Sequence, residues 1–151
     1  MKRPVMKYVI TYFTMLLLLL ICSLPLHAQQ PTQQQMQQQM QEMQKRLNTM
    51  LERNHEMNRQ MLHRMEQAQN EQMRNQYQMM HRFGEQMGMT LGNMKNAAER
   101  CELMLRDREM MRDRDMQRDM ERMRRHLSDM TNEMEEALQT MERMNQRLQE
   151  Q

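Results

Sequence analysis

Residues 116–148 read MQRDMERMRRHLSDMTNEMEEALQTMERMNQRL. Apolar side chains fall at Met116, Met120, Met123, Leu127, Met130, Met134, Ala137, Met141, Met144 and Leu148. The steps of four and three are the heptad signature of a helix with one apolar seam. Between them the charges alternate in sign, and pairs such as Asp119 with Arg122 and Glu121 with Arg125 stand at helical spacing. Each such exposed pair adds about 0.2–0.5 kcal/mol, so the charged face reads as a solvated helix surface.

Two further seams precede this one. Met36, Met40, Met43, Leu47, Met50, Asn54, Met57 and Met61 form a strict heptad run with one polar member, Asn54. Met73, Tyr77, Met80, Gly84, Met87, Leu91, Met94, Ala98, Cys101 and Leu105 form another. The phase shifts between 61 and 73 and between 105 and 116, as at stutters in a coiled coil. No proline follows Pro31. The rest of the composition agrees: aromatics are 3% of the 151 residues, with 3 glycines and no tryptophan. β-branched residues are also scarce, so sandwiches, barrels and doubly wound sheets are excluded. The expected fold class is all-α, a long antiparallel helical hairpin of coiled-coil type.

The three glycines, Gly84, Gly88 and Gly92, lie four apart. That spacing would put them on one helix face, a pattern that lets helices approach closely in membranes. Their neighbours Glu85, Gln86, Thr90 and Asn93 are polar, however. Three glycines in a helix interior cost about 3 kcal/mol relative to alanine. The reading adopted from sequence is a turn over 84–92, joining a first long helix, 36–83, to a second, 93–150. The seams would then pair Met61 with Met116, Met57 with Met120, Met50 with Leu127 and Met36 with Met141. The middle run would fold on itself, pairing Tyr77 with Cys101. Helices of about 50 residues would make a rod near 75 Å long. Two helices bury only a narrow stripe, so a homo-oligomer is expected.

The N-terminal segment reads as an export signal. Lys2, Arg3 and Lys7 precede a mostly apolar stretch from Val9 to Leu24, and Pro25 and Ala28 follow it. This is the layout of a secretory signal over 1–28, with cleavage after Ala28. Cys22 follows Ile21, where lipoprotein processing needs a small residue. Left uncleaved, the segment would instead be a membrane anchor, the one route to membrane contact. Either way the remainder is exported, to the periplasm or beyond. Residues 29–35 open a glutamine-rich stretch and read as a flexible lead-in.

Removal of 1–28 turns the formal charge of +2 into −1, with 19 Lys+Arg against 20 Asp+Glu. The basic balance of the whole chain therefore gives no reason to expect nucleic acid. One cysteine remains, Cys101: a free thiol, an intermolecular bridge, a soft ligand or simply a small buried residue. Beyond residue 28, four dispersed histidines and one serine, Ser128, supply no catalytic constellation, and no enzyme is expected.

Methionine is the feature with chemistry in it. Of the 23 methionines after residue 28, 17 lie on the three seams, with only five leucines beside them. Leucine specifies a core better than the flexible thioether does, so stability alone does not explain the ratio. Three explanations compete. Thioethers bind soft Cu(I) or Ag(I), and residues three or four apart on a helix bring two sulfurs toward one ion. Met57, Met61 and Met65 do so, as do Met116, Met120 and Met123; His126 adds an imidazole and Met130 follows. Alternatively, a methionine-lined surface adapts to varied apolar partners. The third explanation, a reversible oxidant sink, is weakened by the seam positions, which should be the least accessible.

The Met-x-x-Met and Met-x-x-His content behind a signal peptide resembles the methionine- and histidine-rich periplasmic silver- and copper-binding proteins of metal-resistance systems. The resemblance implies Ag(I) or Cu(I) as ligand and helix gained on binding. Met120, Met123 and His126 match its motifs, with Met40/Met43 and Met141/Met144 as Met-x-x-Met pairs; Met123-x-x-His126 is the single strict Met-x-x-His. A periplasmic helical hairpin also resembles the envelope-stress chaperones related to Spy. Their Leu-Thr-x-x-Gln signature is absent here.

Overall fold

Heptad seams need neighbours to cover them, and the chain supplies these by turning twice. The structure, a computed structural model, describes residues 32–150. The expected signal segment, Cys22 and residues 29–31 of the lead-in lie outside that range. Helix α1 spans Gln33–Gln67, α2 spans Glu71–Arg106 and α3 spans Arg114–Gln149, with a single 3-10 turn at Met110–Arg112 before α3. Each long helix is about 52–54 Å in length. No helix among the described residues is long and apolar enough to cross a membrane.

Polar caps set the helix boundaries. Thr32 and Gln35 form a reciprocal capping box at the start of α1. Asn70 Oδ1 accepts from the Met73 amide at 2.7 Å and begins α2. Asp107 Oδ1 accepts from the Glu109 and Met110 amides at 2.9 and 3.2 Å in the second connection. Asp113 Oδ1 accepts from Asp115 N at 2.8 Å and begins α3. These side chains satisfy amides that a helix start leaves without partners.

Side-chain pairs fix the register. Asn54 Nδ2 donates to the Gly84 carbonyl at 2.9 Å and Gln41 Nε2 to Glu102 Oε1 at 3.0 Å, so α1 and α2 run antiparallel. Arg46 pairs with Glu135 at 2.7 Å and Arg53 with Glu142 at 2.8 Å, so α3 runs parallel to α1. The Tyr77 hydroxyl donates to the Leu148 carbonyl at 3.2 Å across the antiparallel α2–α3 pair. The all-α, antiparallel hairpin architecture is present as α1 and α2, and α3 lies back along both.

Several sequence expectations are corrected. The turn is not at 84–92: all three glycines lie inside α2, and the chain reverses at 68–70 and 107–113, where the seams change phase. The stretch 36–83 is therefore divided between α1 and α2, and 93–150 between α2 and α3. At Gly84 and Gly88 side chains of α1 fill the space that the glycines leave. A Cβ on Gly84 would stand 1.9 Å from Asn58 Oδ1, and one on Gly88 would stand 2.8 Å from Asn54 Nδ2. Close approach of the two helices offsets the propensity cost at Gly84 and Gly88. The pairing of Met61 with Met116 and its companions fails with the turn, as does that of Tyr77 with Cys101, which share one helix. The lead-in is also shorter, since helix begins at Gln33. There the glutamines contribute to the packing: Gln33 and Gln37 both donate to the Leu105 carbonyl, one of the acceptors left over at the end of α2.

All eight positions of the first seam are buried. Nine of the ten in the second are buried and Met73 is partly so. The third seam differs. Met120, Leu127 and Met141 are buried, but so are Thr131, Leu138 and Asn145, whereas Met123, Met130 and Met144 are 44–49% exposed. A helix packed on two neighbours buries a stripe that straddles both. The centre of the α3 stripe has accordingly moved toward α1, leaving one row of methionines at the rim.

Candidate functional site

The structure separates the residues expected to bind a soft metal into two groups at opposite ends. On α1, Met57 and Met61 are core residues at 4% and 0% exposure, and Met65 packs partly buried against them. The Arg53–Glu142 pair places them level with the C-terminal end of α3. Met116, Met120, Met123, His126 and Met130 occupy its N-terminal half, roughly 35 Å away along the bundle. The two sets do not combine.

Within the second set the side chains divide again. Met120 is in the core, Met116 is half-buried, and Met123, His126 and Met130 lie at the surface. Met123 faces α2, where the Cys101 thiol donates to its sulfur at 3.1 Å. Cys101 is a buried free thiol. Burial disfavours its thiolate and pushes the thiol pKa up. Two sulfurs from different helices thus stand side by side, one inside the bundle and one reaching the surface. The heptad pattern leaves the role of Cys101 open and, with a turn at 84–92, packs it against Tyr77. The Cys101–Met123 contact requires the turn at 107–113, which that pairing does not include.

The surroundings of this sulfur pair are hydrogen-bonded and charged. Next to Cys101, Glu102 is buried at 8% exposure and accepts from Gln41 Nε2 at 3.0 Å and Gln44 Nε2 at 2.8 Å. Those hydrogen bonds, Gln41's first, and the Arg106 guanidinium hold its carboxyl below the usual range, against the opposing effect of burial. On α3, Glu121 binds Arg124 through both carboxylate oxygens at 2.8 Å, which likewise lowers its pKa. Among the described residues, no three His, Cys, Asp or Glu side chains gather as a metal-holding group.

Two other features stand away from the sulfur pair. A polar layer crosses the core at Asn54, Asn58 and Asn145, each with a buried amide oxygen that lacks a hydrogen-bond partner. The Asn54 amide is tied to α2 through Gly84, so this layer favours one register over others. At the far end, α2 and α3 diverge around a groove of about 580 Å³ lined by Met79, Met80, Phe83, Met141, Met144 and Leu148, with Gln76 and Arg147 at its edge. Met79 and Phe83 are 64% and 53% exposed, an unusual apolar display for a chain this charged.

Compared with known proteins, the chain matches no protein-family model, no curated protein and no solved structure.

Proposed function

We propose that this chain is an exported, non-enzymatic helical protein that binds a soft monovalent cation, Cu(I) or Ag(I), through sulfur. The observation that carries the reading is the 3.1 Å approach of Cys101 Sγ to Met123 Sδ. Thiolate and thioether are the ligand types that such ions prefer. Binding replaces the thiol proton: the Cys101 S–H bond breaks, a sulfur–metal bond forms, and the proton leaves to solvent. The half-exposed Met123 gives the ion a way in. Met120 and Met116, one and two turns earlier, and His126 and Met130 along the rim supply further soft donors. Export rests on the N-terminal basic and apolar pattern, and the resemblance to periplasmic silver- and copper-binding proteins points the same way.

The test is an Ag(I) titration followed by calorimetry, comparing the protein with Met123→Leu, Cys101→Ala and the quadruple change of Met116, Met120, Met123 and Met130 to leucine. The reading expects one tight Ag(I) equivalent, weakened at least tenfold by either single change, with helicity kept or raised in the leucine variants. Unchanged affinity in the quadruple variant would reject it.

A second reading is favoured by the α2–α3 groove. Its lining of Met79, Phe83 and Met144 is a flexible apolar surface of the kind that adapts to unlike partners, as in a chaperone-like or scaffold protein of the cell envelope. Binding of unfolded apolar peptides, lost with Phe83→Ser and indifferent to Cys101→Ala, would favour it over the metal.

A further inference from the structure

The row of methionines left at the rim of α3 has a symmetry of its own. Met116, Met123, Met130, Ala137 and Met144 recur every seven residues and centre on Met130. Met123, Met130 and Met144 are 44%, 46% and 49% exposed, while Met116 and Ala137 are partly buried against the core, so the chain covers this row only in part. A heptad row is what a helix presents to a second helix along its whole length.

Charge along α3 selects the partner and its direction. Residues 114–128 hold five arginines against three acidic residues, and 129–149 hold five acidic residues against two arginines. Two such helices laid parallel would set basic half on basic half. Laid antiparallel, they set each half on its opposite.

We propose that two copies of this chain associate through α3, antiparallel, about a twofold axis at Met130. Met130 then meets its own counterpart, Met123 meets Ala137, and Met144 meets Met116. Beside the row, the exposed Arg122 stands near Glu136 of the other copy, Asp115 near Arg143, and His126 near Glu133; each pairing occurs twice. A twofold contact of this kind is self-complementary by construction. Asp129 is the exception, since it approaches its own counterpart across the axis. The apolar groove at Met79, Phe83 and Met144 lies at the end of this row, so the second copy covers its α3 wall. The row shares Met116, Met123, His126 and Met130 with the proposed metal site, so association is tested on the metal-free protein, where it does not depend on that reading; it competes with the second reading for the same groove.

The test is sedimentation equilibrium on the metal-free protein, in the form that cells accumulate, joined to cysteine cross-linking. The protein should be dimeric; Met130→Glu should weaken the dimer at least tenfold with its circular dichroism unchanged, and Asp129→Asn should tighten it. Met130→Cys should cross-link to itself, whereas Met116→Cys and Met144→Cys should cross-link to each other when mixed and not alone. Cys101 is buried and does not compete. A monomer at all concentrations, a dimer insensitive to Met130→Glu, or self-linking by Met116→Cys and Met144→Cys alone would overturn the proposal.

Discussion

The Asn58 carboxamide fills the space in which a side chain on Gly84 would stand, with its Oδ1 1.9 Å from the position of a Cβ there. The Met141 terminal methyl closes the same space from α3 at 2.8 Å. One glycine thus lets α1 and α3 both reach the backbone of α2. At Gly92 nothing lies within 4 Å of the corresponding position.

The two glycines should therefore respond to alanine with opposite signs. Gly92→Ala should stabilise the fold by about 0.5–1 kcal/mol, the helix-propensity gain alone. Gly84→Ala carries the same gain but forces Asn58 and Met141 out of place. Overpacking of this kind costs about 1–3 kcal/mol, so a net loss is expected. Urea unfolding of the two variants checks the difference. Equal stabilisation by both would mean that α1 does not approach α2 at Gly84.

The same close approach explains what the sequence could and could not convey. The first seam is buried at every one of its eight positions because a strict heptad on a helix with a close antiparallel neighbour has one possible face. Summed propensities gave the glycines a local cost but could not include Asn54 and Asn58, which arrive from a helix 30 residues earlier in the case of Asn54 and Gly84. The boundary signals were nonetheless present: Asn70, Asp107 and Asp113 are cap residues at the two phase breaks, and they mark chain reversals where stutters were inferred. On α3 the buried row of Thr131, Leu138 and Asn145 is less apolar than the methionine row at Met123, Met130 and Met144, so the heptad pattern favours the wrong one. Only the presence of both α1 and α2 decides that Leu138 and Thr131 face inward and Met130 outward. Cys101 and Met123 could not be paired from sequence for the same reason, since their contact requires the second turn at 107–113.

Glu102 should give the fold a defined acid sensitivity. Its carboxyl accepts hydrogen bonds from Gln41, Gln44 and Arg106, and its pKa is lowered in the folded protein. The unfolded chain holds a glutamate near its usual value of about 4.3. Between the two values the unfolded state binds more protons, so stability falls as pH falls. The contribution is complete above about pH 5 and is lost as pH drops through the lower, folded value. Glu102→Gln cannot ionise, so its urea midpoint should lie below that of the parent at pH 7 and converge with it in acid. A gap that stays constant from pH 7 to pH 3 would show that the carboxylate charge is not what these side chains recognise.

The central claim is that two sulfurs on neighbouring helices, Cys101 and Met123, hold a soft cation. X-ray absorption at the copper edge of the Cu(I)-loaded protein tests it most directly, because the scattering distinguishes sulfur from nitrogen and oxygen in the first shell. The account predicts one Cu(I) with a shell made mainly of sulfur, which loses a sulfur scatterer in Met123→Leu and is dismantled in Cys101→Ala. A protein that retains no Cu(I), or a first shell identical in the parent and both variants, would contradict it.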